Sequence, residues 1–335
     1  MDIRHINIDW RPELERPVLI AGFTGWNDAA DAASVAVGAL ASSWEARRFG
    51  GFDGEEFFDF QTTRPQVKLV NGVTREIEWP ENMLSATEPG LEAAGGRGAV
   101  LLSGPEPNFR WRTFSTAVVE LAKALNVELV VTMGALLADV PHSRPVSVSA
   151  NSQDTALVES LGLSASRYEG PTGITGVLHR VCADAGLPSV SFWASVPHYL
   201  PAVPSAPAAL ALLDKLSGLL GMEVETADLE STAETYQEQV SVAVSQDSDL
   251  SSYVRMLEER FDSQADQGPR NLPSGDELAQ ELEGFLREHR REAGGRPRRL
   301  DGHLLERHQH DRAVRREQLT HPLDQLTQHV IQLDV

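Results

Sequence analysis

Residues 17–40 read PVLIAGFTGWNDAADAASVAVGAL, a continuous apolar run followed by a short turn and an alanine-rich segment. An unbroken apolar run of this length is typical of a strand that is buried on both faces of a sheet. We expect Asp28 to open the following helix, where its carboxylate would accept hydrogen bonds from free backbone N–H groups. The small residues of that helix would let it approach the sheet closely.

Strands and helices are predicted to alternate from this unit up to Pro197. The apolar patterns indicate strands at 52–60, 98–103, 128–134, 146–150 and 188–196, and helices at 110–125, 153–161 and 174–185. Residues 67–70 and 73–79 flank Asn71-Gly72, a pair that favours tight turns, and predict a hairpin. This alternation predicts an α/β fold with a largely parallel sheet and helices on both of its faces.

The character of the sequence changes after Pro197. Leucines at helical spacing predict a helix up to residue 220, and apolar stripes predict two acidic helices at 229–240 and 250–261 and a short one at 278–285. We therefore expect three parts. They are an α/β core domain at 1–222, an acidic helical appendage at 223–293 and a poorly ordered, Arg- and His-rich tail at 294–335.

Charge limits the classes of partner. Among the 335 residues, Lys and Arg total 29 and Asp and Glu total 49, which gives a formal net charge of −20. A field of this sign repels phosphate backbones, so nucleic acid is not expected as a partner. The acidic stretch 223–266 and the arginine-rich stretch 287–316 are either two solvated segments or a tail that docks on an acidic arm.

Several functional classes lack their sequence signatures. A single cysteine, Cys182, excludes a disulfide framework and an all-cysteine zinc site, and we expect it to fill the core. The chain has neither a long uncharged apolar stretch nor an apolar N-terminal signal, which predicts a cytoplasmic protein without a membrane segment. Glycine-rich nucleotide motifs and nucleophile motifs are missing as well. We predict no catalytic residue, no metal and no cofactor, and whether the chain is an enzyme stays open.

Polar residues in the loops after the predicted strands form the candidate ligand site, because α/β proteins bind ligands at this edge of the sheet. The candidate ligand-binding residues are Trp26, Asn27, Asp28, His142, Arg144, Glu169, Thr172 and His198. Each loop also has a structural interpretation: a capped turn at 26–28, a hydrogen-bonded loop at 141–145, helix initiation at 170–173 and a packing histidine at 198. Convergence of these groups would make a pocket but would not define a reaction.

Four segments resemble the proteasome assembly chaperone family, in its α/β-type branch with uncharacterised bacterial and archaeal members. They are 19–33 (LIAGFTGWNDAADAA), the loop from 134–136 to 141–145 (PHSRP), 170–176 (GPTGITG) and 193–199 (WASVPHY). The resemblance spans roughly residues 15–220. The Gly-Trp-Asn-Asp-Ala-Ala turn and the Val-Pro-His-Tyr segment are its most specific features.

The resemblance implies a three-layer α/β/α sandwich around a mixed sheet, like that of nucleoside phosphorylases and hydrolases. It also implies homo-oligomers, with a trimer as the expected form. Eukaryotic relatives help to assemble proteasome α-subunit rings, and some dock through a C-terminal hydrophobic–Tyr–X signature. This chain ends Gln332-Leu333-Asp334-Val335, with Asp at the tyrosine position.

Two hypotheses for function follow. In the first, the chain is an oligomeric assembly or interaction factor without catalysis, with proteasome subunits among its partners. In the second, it is an enzyme or binding protein for a nucleoside-like or small anionic ligand, held by the loop residues named above.

Overall fold

A computed structural model describes residues 3–70, 74–87, 96–153, 158–159, 161, 168–201 and 203–265. The strands in this part of the chain are β1 (Ile6–Ile8), β2 (Val18–Thr24), β3 (Arg47–Phe52), β4 (Gln66–Val70), β5 (Thr74–Glu78), β6 (Met83–Ala86), β7 (Ala99–Pro105), β8 (Leu129–Ala138), β9 (Val148–Ser152) and β10 (Ser189–Pro197). The helices are α1 (Ala32–Ser43), α2 (Gly54–Phe57), α3 (Trp111–Ala124), α4 (Ile174–Asp184), α5 (Ala206–Leu220), α6 (Ala227–Gln246) and α7 (Ser248–Ala265).

Eight strands form one mixed sheet in the order β1-β3-β6-β7-β2-β8-β10-β9. The four central strands, which are β7, β2, β8 and β10, run parallel to one another. The strands on either side, including the edge strand β9, pair in antiparallel fashion. The predicted α/β class, with a mixed sheet whose centre is parallel, is confirmed.

Helices cover both faces of this sheet. Helices α1 and α5 pack into one apolar cluster, whereas α3 and α4 pack into the other. Strand β2 serves both clusters, because Val18 and Ile20 belong to the first and Leu19 and Ala21 to the second. The continuous apolar run is therefore a strand buried on both faces, as predicted, and the layers are α/β/α.

Close contact between α1 and β2 depends on a glycine. A methyl group added to Gly22 would lie 2.8 Å from Val37 Cγ2 and 3.1 Å from the carbonyl oxygen of Ala33. Both distances are shorter than ordinary van der Waals contact. The expected approach of a small-residue helix to the sheet is thus present, and it uses glycine on the strand and alanine on the helix.

Two predicted boundaries are wrong. The first helix begins at Ala32 and not at Asp28, because residues 29–31 form a separate 3₁₀ turn in which Ala30 and Asp31 have positive φ angles. The strand predicted at 52–60 ends at Phe52, since the Asp53 carboxylate accepts the backbone N–H of Glu55 and starts helix α2. Phe57, which lies within the predicted strand, is instead buried at the end of this helix.

The hairpin and the C-terminal helices agree with their predictions. Strands β4 and β5 pair in register to form a separate two-stranded sheet, with Val67 opposite Ile77. Helices α5, α6 and α7 occupy the predicted apolar stripes. Among the described helices, none has both the length and the apolar character needed to cross a membrane.

The chain divides into two compact units, residues 1–254 and 255–335. The structure describes the second unit only at 255–265, the C-terminal part of α7. The short helix predicted at 278–285, the tail at 294–335 and most of the helix predicted at 153–161 lie outside the described residues. The three-part division at residues 222 and 293 stays a prediction.

The packing of α1 on β2 gives a matched pair of glycine substitutions. We expect Gly22→Ala to lower the free energy of unfolding by about 1–3 kcal/mol, since the added methyl group overpacks the contact with Val37. Gly38→Ala, in the middle of the same helix with open space around it, should raise the free energy of unfolding by up to about 1 kcal/mol. Urea unfolding of the two variants measures both effects, and equal changes would contradict the close-contact explanation.

Candidate functional site

The candidate site lies where the central strands end. Strands β2 and β7 end side by side, with Thr24 paired to Pro105, and β8 and β10 end together, with Ala138 paired to Pro197. The loops that follow these parallel strands therefore emerge at one edge of the sheet. The loop residues predicted from sequence fall into two groups along this edge.

Glu106 organises the first group. Its Oε1 accepts a hydrogen bond from Asn27 Nδ2 at 2.6 Å and another from the backbone N–H of Ile174 at 2.7 Å. Gly173 lies directly against Asn27 and Glu106, with no room for a side chain. One carboxylate thus joins the turn after β2 to the first residue of α4, and sequence analysis did not single it out.

Asp28 faces the protein interior. It is buried, and its Oδ1 accepts the backbone N–H of Ala33 at 2.6 Å while its Oδ2 accepts that of Ser34 at 3.2 Å. These are two of the N–H groups that the first turn of α1 leaves without helical partners. Burial, the largest effect, raises the pKa of Asp28 above its ordinary value of 3.8. The expected capping role is present, although the cap acts across the 3₁₀ turn.

A cleft of about 580 Å³ lies between α4 and the face formed by β9 and β10. Trp26 and Thr172 line it, so the structure brings two of the predicted residues together. The remaining described lining residues are Leu136, Leu137, Ser149, Asn151, Ser152, Gln153, Tyr168, Gly170, Pro171, Gly176, His179, Arg180, Ala183, Ser191 and Trp193. Glu169 is exposed between Tyr168 and Gly170, and Asn27 is fully buried.

His142, Arg144 and His198 form the second group, in which His142 and His198 pack against Tyr199 and Arg144 follows His142 in the same loop. The Tyr199 hydroxyl accepts the backbone N–H of His142 at 2.8 Å and lies 2.9 Å from its Nδ1, and the Nε2 of His142 is 3.3 Å from Ser241 Oγ on α6. His198 Nδ1 lies 3.3 Å from an Asp139 carboxylate oxygen. These contacts tie the loop after β8 to neighbouring elements.

The space beside this second group is small. His142 and Arg144 line a cavity of about 10 Å³, room for about one water molecule. The cleft and this cavity share none of their described lining residues. The ligand-binding role assigned to His142, Arg144 and His198 from sequence stays a prediction.

The described residues offer little reactive chemistry. Cys182 is fully buried, and burial raises the pKa of its thiol to about 12. It fills the core, as expected, because a thiol with such a pKa stays protonated at neutral pH. Within the described ranges, His, Cys, Asp and Glu side chains form no group of three that could hold a metal ion.

Asp28 gives a test of its capping role. We expect Asp28→Ala to lower the free energy of unfolding by about 1–2 kcal/mol, because two N–H groups lose their acceptor, whereas Asp28→Asn keeps an acceptor oxygen and should lose less. Since the folded-state pKa is raised, the folded protein binds a proton at a pH where the unfolded chain does not. The stability of the wild type relative to Asp28→Asn should therefore increase as the pH falls from 7 towards 3.8, and a decrease in urea unfolding experiments would contradict this.

Solved structures with similar folds include two from actinobacteria. A proteasome-assembly chaperone homologue from Mycobacterium tuberculosis is 45% identical, with a TM-score of 0.65, and the match covers 71% of this chain and 99% of that one. A PAC2 family protein from Streptomyces avermitilis is 43% identical, with a TM-score of 0.63 and coverage of 71% and 99%. The archaeal proteasome activator PbaB from Pyrococcus furiosus, at 17% identity, TM-score 0.58 and coverage of 72% and 98%, shares the fold.

The sequence comparisons agree with these structural similarities on the family of the chain. No functionally curated protein matches the chain. The model of the PAC2 family matches residues 22–244, which include the turn after β2, the cleft and most of α6. The match covers well over half of the sequence, and the two actinobacterial structures match over nearly their whole length. On this basis the chain belongs to the PAC2 family.

Proposed function

We propose that this chain is an oligomeric assembly factor that acts through protein contacts, without catalysis, and that proteasome subunits are its partners. The proposal is supported by membership in the PAC2 family and by likeness to a proteasome-assembly chaperone homologue at 45% identity. The observation that carries it in the structure is an uncovered apolar surface on the β4–β5 hairpin. A protein with such partners would work in the cytoplasm.

The two faces of the hairpin differ in character. Because side chains alternate along a strand, Val67 and Leu69 on β4 lie on the same face as Ile77 on β5, with Arg75 opposite Leu69 as the charged exception. Trp79 continues that face, and one side of its ring packs on Phe60, with the ring centroids 4.9 Å apart. Each of these four side chains is more than half exposed, from 53% for Trp79 to 61% for Leu69. We call this set (Val67, Leu69, Ile77, Trp79) the hairpin apolar face.

The opposite face of the hairpin is mainly polar and exposed to solvent. Gln66, Lys68, Glu76 and Glu78 lie there, and Lys68 forms an ion pair with Glu78. Val70 is the one large apolar side chain on this face. A mainly apolar face backed by a mainly polar one is typical of a sheet that is buried on one side. A two-stranded hairpin alone is marginally stable in water, so the apolar face needs a cover.

Further copies of the chain are the proposed cover. The hairpin needs its apolar face buried as soon as the chain folds. Other copies of the same chain are present at that moment and can bury it. Each subunit has one such face to bury, and a closed symmetric ring buries that face in every subunit. We therefore propose a homo-oligomer built through this face, and the family resemblance favours a trimer.

Adjacent residues on β4 give a matched test of this interface. We expect Val67→Glu to dissociate the oligomer, because it places a carboxylate in an apolar contact. Gln66→Glu introduces the same side chain one residue away on the polar face, and it should leave the oligomer intact. Sedimentation velocity of both variants and the wild type measures the outcome. A monomeric wild type, or dissociation by both variants alike, would contradict the assigned interface.

Proteasome assembly is tested with purified components. Separate α-type and β-type proteasome subunits are mixed with and without the chain, and the appearance of the complete core particle is followed on native gels. We expect the chain to shorten the time to the complete particle and to co-migrate with an incomplete, α-containing intermediate. An unchanged time course, with no α-subunit bound, would rule out proteasome subunits as partners.

A further inference from the structure

We infer that the cleft between α4 and strands β9 and β10 binds a neutral, planar heteroaromatic molecule of nucleoside size, stacked on Trp193. This inference does not rest on the proposed function, because it concerns a different surface from the hairpin apolar face. Its support comes from the floor of the cleft, an unpaired histidine in its wall and the balance of charge around it.

The floor is a fixed aromatic ring. Trp193 on β10 pairs in register with Gly134 on β8, and three atoms of its six-membered ring lie within 3.0 Å of where a Gly134 methyl group would be. The indole N–H donates a hydrogen bond to Ser191 Oγ at 2.9 Å. Gly134 covers one face of the ring, and the side chain is half-buried, so ring surface stays open to the cleft. Such a ring, held in place before binding, is a stacking platform.

The wall opposite this floor contains a buried polar group without a partner. Gly176, His179, Arg180 and Ala183 lie on one side of α4 and line the cleft. His179 is only 8% exposed, and its Nδ1 has no hydrogen-bond partner in the described part of the chain. That nitrogen has almost no accessible surface, so His179 contributes to the cleft through the rest of its imidazole ring.

Apart from Arg180, the hydrogen-bonding side chains in the described lining of the cleft are uncharged. Burial lowers the pKa of His179 below 6.5, so its ring is neutral at neutral pH. Ser149 and Asn151 on β9 and Thr172 before α4 add hydroxyl and amide groups. These side chains suit the ring nitrogens, carbonyl groups and hydroxyl groups of a nucleoside.

The one formally charged side chain among the described lining residues is already paired. Arg180 contacts Asp184 one turn further along α4, with distances of 3.1 Å and 2.5 Å to its two carboxylate oxygens. This pair is exposed and weak, but it leaves no unpaired cation in the described lining to attract a phosphate, and the formal net charge of −20 repels one. A neutral ligand does not meet that repulsion, so we expect a nucleoside to bind better than its phosphate or a small anion.

The size and mouth of the cleft fit such a ligand. A volume of about 580 Å³ lies within the usual range for small-molecule sites, roughly 300–1,000 Å³. Trp26 and Tyr168 line the cleft and are 62% and 66% exposed, so aromatic surface continues outwards from the floor. Thr172 packs directly against Gly176, where a larger residue would have no room.

Isothermal titration calorimetry of the full chain with adenosine, guanosine, cytidine and uridine, and with their 5′-monophosphates, tests the inference. We expect saturable binding of at least one nucleoside and at least about tenfold weaker binding of its monophosphate, a difference of about 1.4 kcal/mol. Asn151→Ala and His179→Phe should each weaken binding by about tenfold. Gln246→Ala, which removes an exposed amide on α6 away from the cleft lining, is the control for Asn151→Ala and should leave binding unchanged.

Each other outcome overturns the inference. If no nucleoside binds at millimolar concentration, the cleft is not a nucleoside site. If the monophosphates bind with equal affinity, the ligand need not be neutral. Binding that survives both cleft variants places the ligand elsewhere. If His179→Phe fails to fold, as judged by thermal melting, Asn151→Ala decides alone, because residue 151 is exposed on the edge strand β9.

Discussion

The edge of the sheet that carries the cleft depends on one carboxylate. Glu106 accepts hydrogen bonds from Asn27 and from the first N–H of α4, so the turn after β2, the loop after β7 and the start of α4 share one anchor. Hydrogen bonds to a charged group contribute about 1.5–3 kcal/mol each, and a lost partner leaves a buried donor unpaired. This contact fixes where α4 begins, and the apolar face of α4 packs into the same cluster as α3.

Two surfaces with different physical character emerge from the same fold. The cleft is half enclosed, lined by hydroxyl and amide groups and floored by a ring that Gly134 and Ser191 hold in place. The hairpin apolar face is open, and it belongs to a two-stranded sheet that is separate from the eight-stranded one. The first suits a small neutral ligand, and the second suits another protein surface, so self-association and ligand binding need not compete.

Local patterns in the sequence predicted the local structure well. The apolar run of β2, the alternation in the hairpin and the helical stripes after Pro197 all depend on neighbouring residues, and all are confirmed. Glu106 escaped prediction because its partners lie 79 and 68 residues away along the chain. The stacking of Trp193 on Gly134 likewise follows from strand register, which composition does not reveal. The sequence analysis also allowed all the candidate loops to meet in one pocket, and they do not. Hydrogen bonds tie His142 to Tyr199 and Ser241, and it does not line the cleft.

Other copies of the chain are proposed to cover the hairpin apolar face. Hydrogen–deuterium exchange of peptides spanning residues 64–80, measured at high and at low protein concentration, reports on this cover, since an uncovered two-stranded hairpin opens readily and exchanges fast. We expect slow exchange at high concentration and much faster exchange after dilution, while peptides from β2 stay protected in both. Fast exchange of the hairpin at every concentration, in a protein that nevertheless forms oligomers, would contradict it.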